Sequence, residues 1–383
     1  MQVLEPGADG VFRHVEGLCH YLLAAGHRVD LAYSSRRGSD RLHALVAEVA
    51  RAGGATLDLA TGNAPAVADL RAFRQLRALV RQIQPDLVHA HSSKAGALVR
   101  SLRLVGITQP LIYTPHAYYG MSQSPGMKTR FFNAVERGLG RIGWSIHVSE
   151  DEGAWARANL GLAGGRCRVV PNSVDTAVFT PGTDADRARF REEFGWPTNA
   201  IVLGAVGRLS PQKDPLTLYR AMVAVMARQP RLHLAQVGQG ELAPALAQIL
   251  RDSGQSARVR RLEYLPDTTK FYRGLDGFMA TSRYEGLPIA VLEAMAADLP
   301  LLLSEVPGHR GFGQWGLSCL RYAPAGDVSA WTTLVDAWVR ERADGEDRSK
   351  LRSNHREIAD AKFSLRAGYG QLMALYQTVL SAR

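Results

Sequence analysis

The stretch from Ser282 to Leu303 constrains the fold of this chain more than any other part of its sequence. It follows an apolar run, Gly277–Ala280, whose length and composition are typical of a buried strand. A tight Gly286-Leu287-Pro288 turn then leads into a segment whose apolar residues have helical spacing: Val291, Leu292, Met295 and Ala296. Because strand, turn and helix in this order build parallel α/β sheets, the stretch predicts such a sheet with helices on its faces.

The same alternation of short apolar strands and amphipathic helices runs along the whole chain of 383 residues, which is long enough for two domains. A turn at 171–175 interrupts the alternation. We predict a first α/β domain at 1–177 and a second at 178–364, with a linker that extends to about Asn199. The last predicted helices span residues 331–342, 349–361 and 365–380. The chain is therefore expected to form two doubly wound α/β domains.

The turn before the predicted helix combines a helix N-terminus with two carboxylates, Glu285 and Glu293. Backbone N–H groups and the positive end of the helix dipole favour an anion such as a diphosphate. Carboxylates repel phosphate unless they hydrogen-bond hydroxyl groups, and a sugar offers hydroxyl groups. The alternative is structural, with Glu285 capping the helix and Glu293 solvated on its surface. The pair alone does not decide between these interpretations.

The segment Glu285-Gly286-Leu287-Pro288, followed by Glu293, resembles the retaining glycosyltransferases of family 4. Those enzymes carry two glutamates separated by seven residues, with an E-(G/S)-(F/L)-(G/P) turn after the first. The resemblance covers nearly the whole chain and is strongest from Ile201 to Glu305. It implies the GT-B fold, in which two doubly wound Rossmann-like domains face each other across a cleft, and a last helix, 365–383, that completes the first domain. It also implies that Glu285 faces the donor sugar and Glu293 the ribose.

Arg208 and Lys213 follow the first strand of the predicted second domain. Open α/β sheets bind ligands at the carboxyl ends of their strands, where two fixed cations can hold a diphosphate. Each charge-assisted hydrogen bond contributes about 1.5–3 kcal/mol. The alternative is a solvated turn, but the family places an Arg and a Lys in its own G-R-x-x-x-x-K segment. Together with the amides of Gly286, Leu287 and Pro288, these cations are expected to bind the donor diphosphate.

No metal cofactor is expected. Asp184 and Asp186 match the D-x-D pattern by which another glycosyltransferase fold holds a metal ion. They open a predicted helix, however, where acidic residues interact favourably with the helix dipole. The three cysteines lie far apart and do not have metal-ligand spacing. Arg208, Lys213 and the helix terminus are therefore expected to take the place of a cation.

His116 follows the predicted strand Leu111–Thr114, whose end should face the ligand. A lone histidine is more often structural than catalytic. In related family members the histidine at this strand end contacts the donor sugar, so the resemblance implies that role for His116. We expect His89 to point into the packing of the sheet, and His14 is a weaker candidate for the site.

Other parts of the first domain also resemble the family, with small departures. Gly10 is expected to allow close backbone approach to the donor, because Asp9 replaces the first residue of the family's Gly-Gly pair. Ser173 replaces glycine in the family's P-N-G-V-D turn. Lys94 is expected on the acceptor side, in a segment that resembles bacterial polysaccharide-building members. The first strand is short, so we expect that strand residues precede Met1 in the natural reading frame.

Charge and composition restrict the partners. The formal charge of +10 and the pI near 9.7 suit an anionic partner. Between Arg71 and Arg141 there are eleven basic residues against two acidic ones, interleaved with apolar side chains such as Phe131. This pattern favours contact with an anionic membrane, although ordinary solvated helix faces explain it nearly as well. No nucleic-acid motif accompanies the charge, so nucleic acid is not an expected partner.

The sequence has no apolar run long enough to span a membrane, no signal segment and no disulfide framework. We therefore expect a cytoplasmic protein, in peripheral contact with the inner face of the membrane.

Together these features predict a retaining, metal-independent glycosyltransferase. It is expected to move a hexosyl unit from a UDP- or GDP-linked sugar to a saccharide acceptor carried on a polyprenyl diphosphate, in the synthesis of bacterial exopolysaccharide or lipopolysaccharide. A soluble acceptor is an alternative. Two other classes stay open: a catalytically inert GT-B binding protein, and a nicotinamide-dependent oxidoreductase, which requires the G-x-G-x-x-G fingerprint that this sequence lacks.

Overall fold

The computed structural model describes five stretches of the chain: residues 1–7, 10–62, 65–122, 126–343 and 353–382. Contacts divide the chain into two compact units. Unit 1 is Met1–Ser173 with Leu365–Arg383, and unit 2 is Val174–Ser364. Each unit contains a parallel sheet with helices packed against it. The prediction of two doubly wound α/β domains is therefore confirmed.

The strands of unit 1 are short, and most are buried: β1 (Gln2–Leu4), β2 (Leu31–Tyr33), β3 (Thr56–Asp58), β4 (Val88–His91), β5 (Leu111–Thr114), β6 (Trp144–His147) and β7 (Cys167–Val169). They form a parallel sheet with the order β3-β2-β1-β4-β5-β6-β7. In β1, Val3 pairs with Ala32 on one side and with Ala90 on the other. The strand order reverses between β1 and β4, and ligands bind to open sheets at such switch points.

The helices that connect these strands are α1 (Gly10–Ala24), α2 (Asp40–Arg51), α3 (Ala68–Ile83), α4 (Ser93–Ser101), α5 (Met127–Leu139) and α6 (Glu150–Leu160). The apolar face of α1 is buried, since Val15 and Leu18 have no exposed surface. Ser149 caps α6, because its hydroxyl accepts a hydrogen bond from the Glu152 N–H at 3.1 Å. Gly26 follows α1 with a φ of +79°, a conformation that glycine adopts without steric cost.

Unit 2 contains the predicted strand that precedes the stretch from Ser282 to Leu303. Its strands are β8 (Ile201–Val206), β9 (Leu232–Val237), β10 (Val259–Leu262), β11 (Gly277–Ala280), β12 (Leu301–Ser304) and β13 (Leu320–Ala323). They form a parallel sheet with the order β10-β9-β8-β11-β12-β13. Phe278 of β11 pairs with Gly204 of β8 and Leu301 of β12, so β11 is a central strand beside the switch point of this sheet.

The helices of unit 2 are α7 (Asp184–Glu193), α8 (Pro215–Met226), α9 (Ala243–Ser253), α10 (Thr269–Gly274), α11 (Ile289–Ala296), α12 (Val328–Ala343) and α13 (His355–Ile358). Part of the predicted helix 349–361 lies outside the described residues, and its described remainder contains α13 and a π-helical turn at Ala359–Phe363. Among the helices that the structure describes, none has both the length and the apolar character needed to cross a bilayer.

The predicted linker up to Asn199 is wrong, because its central part is α7, which packs on α10 within unit 2. At the start of α7, Thr183 and Asp186 form a capping box. Arg191, near the end of α7, forms a buried ion pair with Asp276. The Asp-x-Asp pattern at this helix start therefore has a structural role, as the sequence analysis predicted.

The units divide after Ser173, whereas the sequence analysis placed the boundary at 177. Val174 belongs to unit 2 because it forms a parallel bridge with Ser364. Its N–H also donates to the carbonyl oxygen of Phe363 at 2.8 Å.

Helix α14 (Leu365–Ser381) belongs to unit 1 and packs closely on Ser173. A Cβ atom added at Gly368 would lie 1.9 Å from the Oγ atom of Ser173. We therefore expect Gly368→Ala to lower the free energy of unfolding by about 1–3 kcal/mol. Adding Ser173→Gly removes the clash, so the double variant should regain at least the stability of the wild type, since alanine forms helices better than glycine.

Gly370→Ala in the same helix is the matched control, because a Cβ atom there meets no described atom within 4 Å. It should raise the free energy of unfolding by up to about 1 kcal/mol. Urea unfolding of the three variants and the wild type measures these differences. If Gly368→Ala were as stable as Gly370→Ala, the close packing of α14 on Ser173 would be wrong.

Candidate functional site

Unit 2 contains a pocket at the carboxyl ends of β8 and β11, the sheet edge where ligands bind in such folds. Its empty volume, which includes space open to solvent, is about 410 Å³. Charged and polar groups of Arg208, Lys213, Ser282 and Glu285 line it, together with Pro288. Four of the predicted donor-site residues therefore lie together in one pocket of unit 2: Arg208, Lys213, Glu285 and Pro288.

Lys213 and Glu285 form an ion pair in this pocket. Lys213 Nζ donates to Glu285 Oε1 at 2.5 Å, and the hydroxyl of Ser282 donates to the same oxygen at 2.6 Å. Burial alone would raise the pKa of the Glu285 carboxyl, but the Lys213 charge and the hydrogen bonds from Lys213 and Ser282 hold that pKa below its ordinary value. Glu285 is therefore an ionised and oriented hydrogen-bond acceptor at neutral pH.

Arg208 is exposed on the loop that follows β8, and its Nη2 atom donates to Gln212 Oε1 at 3.2 Å. The loop after β9 packs directly on this segment, because a Cβ atom at Gly238 would lie 2.0 Å from the carbonyl oxygen of Gly207. A guanidinium group has five N–H donors. Arg208 can therefore donate to an anionic ligand from a loop whose backbone is fixed by close packing.

The Gly286-Leu287-Pro288 turn leads into α11, as predicted. Leu287 is 4% exposed, so its side chain anchors the turn in the core. The prediction that Pro288 supplies an amide is wrong, because proline has no N–H group. The donors at the start of α11 are instead the N–H groups of Ile289 and Ala290, which have no acceptor within the helix. The sequence already indicated these donors, since the residues that follow Pro288 are the first of α11.

Glu293 lies in α11 and is 2% exposed. Its Oε2 atom accepts a hydrogen bond from the hydroxyl of Tyr272 at 2.7 Å. Among the described residues, Glu285 lines the pocket and Glu293 does not. The structure therefore does not bring Glu293 to the pocket, and its role toward the ribose stays a prediction.

His116 of unit 1 has an unusual backbone conformation. Its φ is +56° and that of Ala117 is +90°, a left-handed region that costs a residue other than glycine about 1–3 kcal/mol. Glu152 of α6 holds this segment, because its Oε1 atom accepts from the Ala117 N–H at 2.5 Å and its Oε2 atom from the Val148 N–H at 2.7 Å. The sequence analysis missed Glu152, since a glutamate in the first turn of a helix ordinarily interacts only with the dipole.

Side-chain hydrogen bonds orient the His116 ring. Its Nε2 atom lies 3.1 Å from His91 Nδ1, and His91 Nε2 lies 3.0 Å from Gln2 Oε1. The Asn172 side chain also hydrogen-bonds His116. Because the Gln2 oxygen can only accept, His91 carries its proton on Nε2 and accepts the His116 N–H at Nδ1. The sequence analysis assigned no role to Gln2 or His91, although a His-x-His pattern at a strand end was the available signal.

Two further predicted residues are placed by the structure without a defined ligand role. The Nζ atom of Lys94 lies 3.0 and 3.1 Å from the carboxylate oxygens of Asp69. Gly10 begins α1, and a Cβ atom there would meet no described atom within 4 Å. The preceding turn residues Ala8 and Asp9 lie outside the described residues. The acceptor role of Lys94 and the donor role of Gly10 stay predictions.

Each unit matches a family of known proteins. Residues 8–178 match the model described as Glycosyltransferase Family 4, and residues 186–358 match Glycosyl transferases group 1. The D-inositol 3-phosphate glycosyltransferase of Corynebacterium jeikeium is 31% identical over 320 residues, which cover 76% of this chain and 72% of that protein.

A relative from Escherichia coli and a solved structure extend the comparison. The UDP-Gal:alpha-D-GlcNAc-diphosphoundecaprenol alpha-1,3-galactosyltransferase is 27% identical over 253 residues, which cover 64% of this chain and 65% of that protein, just under two thirds of its length. The crystal structure of Anabaena Alr3699/HepE in complex with UDP and glucose aligns with a TM-score of 0.78 at 18% identity, over 99% of this chain and 100% of that one. This chain belongs to glycosyltransferase family 4 and has the GT-B fold.

Proposed function

We propose that this chain transfers a hexosyl unit from a UDP- or GDP-linked sugar to a saccharide acceptor, with retention of the anomeric configuration. The observation that carries the proposal is the Lys213–Glu285 pair beside Arg208 in the pocket of unit 2. Cations and a carboxylate in one pocket suit a ligand that has both a diphosphate and sugar hydroxyls. The family supports this chemistry, and the neighbour solved with UDP and glucose supports a nucleotide sugar as the donor.

The residues of unit 2 act on the leaving group, because negative charge builds on the nucleoside diphosphate as the glycosidic bond breaks. Lys213 and Arg208 stabilise that charge. The N–H groups of Ile289 and Ala290 add the positive end of the α11 dipole. The hydrogen bonds that Glu285 receives from Lys213 and Ser282 both reach its Oε1 atom, and its Oε2 atom accepts from the sugar hydroxyls.

Three other residues keep the roles that the family resemblance implies. His116 contacts the donor sugar, Glu293 the ribose, and Lys94 lies on the acceptor side. We propose front-face attack, in which the acceptor hydroxyl oxygen bonds to the anomeric carbon as the bond to the diphosphate breaks. The hydroxyl proton passes to the departing phosphate oxygen, so that no covalent intermediate with the protein is needed.

The proposed reaction uses no metal ion. Lys213, Arg208 and the start of α11 supply positive charge to the diphosphate in the same pocket. In the Asp-x-Asp pattern, which holds a metal in another glycosyltransferase fold, Asp186 belongs here to the capping box of α7 and Asp184 pairs with Arg187.

The proposed acceptor is a saccharide on a polyprenyl diphosphate, used for cell-surface polysaccharide at the inner face of the cytoplasmic membrane. The name of each relative includes a phosphorylated compound. It is a sugar linked to diphosphoundecaprenol in one relative and an inositol phosphate in the other. An anionic acceptor also suits the basic surface of unit 1. Arg100 does not contribute to that surface, because it is buried in an ion pair with Glu136.

We also propose that helix α5 contacts the anionic membrane that carries this acceptor. Met127 and Phe131, one turn apart on α5, are 87% and 56% exposed. The basic residues Lys128, Arg130 and Arg137 are also exposed on this helix. Exposed apolar side chains flanked by basic ones are typical of helices that lie in a membrane interface.

Thermal unfolding with UDP, GDP, ADP or NAD, each with and without EDTA, tests the proposal. At about a hundredfold excess over the dissociation constant, a bound nucleotide should stabilise the fold by roughly 2.7 kcal/mol. We expect this shift with UDP or GDP and expect it to survive EDTA. Stabilisation by NAD alone would favour an oxidoreductase, and a shift that EDTA abolishes would contradict metal-independent donor binding. Nucleotide stabilisation without sugar transfer would favour an inert binding protein.

A further inference from the structure

Three imidazole rings converge in unit 1 although they come from distant parts of the sequence. His14 lies in α1, His91 ends β4, and His116 follows β5. One ring nitrogen of each residue lies within 4.8 Å of those of the other two. The ring centroids are 5.0 to 5.6 Å apart. Neighbouring parallel strands bring these residues together, so no local spacing in the sequence predicts the cluster.

His14 has a ring nitrogen that forms no hydrogen bond with the described residues. Its Nδ1 atom is buried and has no hydrogen-bond partner among the described residues. A buried polar atom without a partner costs about 1–3 kcal/mol, so this arrangement needs a compensating interaction. The neighbouring His89 provides the contrast, because its two ring nitrogens bond to Tyr376 at 2.6 Å and Thr114 at 2.8 Å. His89 is therefore structural, as the sequence analysis predicted, whereas His14 is not satisfied in this way.

The other two histidines have the geometry of neighbouring metal ligands. His91 Nδ1 and His116 Nε2 are 3.1 Å apart, close to the separation of about 3.3 Å between two nitrogens on a tetrahedral zinc ion. The Gln2 oxygen accepts the His91 Nε2 proton and thereby directs the bare Nδ1 atom toward His116. In known metal sites, hydrogen bonds of this kind to the other ring nitrogen orient the histidine ligands. The third nitrogen needs to move closer by at most roughly 1.5 Å.

We propose that His14, His91 and His116 form a binding site for a divalent transition-metal ion such as Zn²⁺. Neutral imidazole is a preferred ligand of this class of ion. Three protein nitrogens leave a fourth position open, and His116, which is only half-buried, gives access from solvent.

Metal binding changes the tautomer of His116 without releasing a proton to solvent. Its Nε2 atom becomes a ligand, and the proton it donated to His91 moves to Nδ1. The ion then binds the imidazole ring of His116, which contacts the donor sugar in the proposed function. With the proposed function, a bound metal ion therefore inhibits sugar transfer. The metal site itself does not depend on that function.

Cobalt titration of the untagged, metal-free chain tests the site without any assay of turnover. Co²⁺ should give a visible absorption band that saturates at one equivalent, and Zn²⁺ should displace it. His14→Gln and His116→Gln should each weaken binding by more than about 100-fold, and Gln2→Ala by about 10–100-fold. His27→Gln replaces an exposed histidine outside the cluster and should change nothing.

The outcomes separate this site from the proposed function. Absence of a saturating band, or a band unaffected in both His14→Gln and His116→Gln, would overturn the metal site. Circular dichroism identifies a variant that does not fold, and the half-buried position of His116 makes its variant the safer one. If the metal binds as expected but does not inhibit transfer, the assignment of His116 to the sugar is wrong while the site stands.

Discussion

Replacing Lys213 with methionine is expected to lower kcat/KM for sugar transfer by about 10²–10³-fold, the effect of removing one preorganised charge or donor from a developing anion. Lys213 projects into the pocket of unit 2, where its Nζ atom bonds to Glu285. Methionine keeps most of the side-chain volume but cannot stabilise the leaving diphosphate. Steady-state kinetics measures the loss, with sugar donors that carry the nucleotide identified by thermal unfolding.

The same substitution leaves the Glu285 carboxylate buried without its cation, which costs up to about 3–5 kcal/mol of stability. The double variant Lys213→Met/Glu285→Gln removes this unpaired charge. It should regain much of the stability but none of the activity, which separates catalysis from folding.

Lys270→Met is the matched control, because Lys270 is exposed in unit 2 and does not line the described pocket. It should change neither stability nor turnover. Lys213→Met with activity within about threefold of the wild type would remove Lys213 from the proposed leaving-group site, since the expected loss is far larger.

The strands could be predicted well from sequence because buried parallel strands are nearly continuous apolar runs. The predicted limits of Leu111–Thr114 and Gly277–Ala280 agree with β5 and β11. The helix that opens at Asp184 was predicted, but it was placed in the interdomain linker because the burial of α7 depends on a distant partner. The buried Arg191 pairs with Asp276, which is 85 residues away in the sequence.

The candidate site likewise has a part that could be predicted from sequence and a part that could not. Lys213 and Glu285 could be predicted because each belongs to a short motif that directly follows a strand. The hydrogen bonds around His116 could not, since they join residues that are distant in sequence. His91 contacts Gln2 across 89 positions, and Glu152 contacts Ala117 across 35. Such contacts depend on strand order, which the local pattern does not specify.

Replacing Glu152 with alanine is the second large effect that we expect. The carboxylate accepts the N–H groups of Ala117 and Val148, and both donors lose their acceptor in the variant. Leaving two N–H groups unpaired should lower the free energy of unfolding by about 2–4 kcal/mol. The segment should also leave its left-handed conformation and move His116, so kcat should fall by at least about 10-fold even where the variant is folded.

Glu150→Ala is the matched control, because Glu150 is an exposed acidic residue in the first turn of the same helix. It removes one charge from the helix N-terminus and should cost less than about 1 kcal/mol. Urea unfolding and kinetics below the unfolding transition measure both variants. A Glu152→Ala enzyme that is destabilised but keeps its kcat would show that Glu152 stabilises unit 1 without positioning His116.

The pH dependence of stability gives an independent test of the same residue. Burial raises the pKa of Glu152 from 4.5 to about 7, although the N–H groups of Val148 and Ala117 oppose the shift. Because the folded-state pKa lies above the unfolded-state value, the stability that this group contributes is fully present below about pH 4.5 and is lost as the pH rises through about 7. A shift of this size corresponds to roughly 3 kcal/mol. The glutamine of Glu152→Gln cannot ionise, so the free energy of unfolding of this variant should rise relative to that of the wild type between pH 5 and pH 8. If the stabilities of the two proteins changed in parallel with pH, a buried, titrating Glu152 would be contradicted.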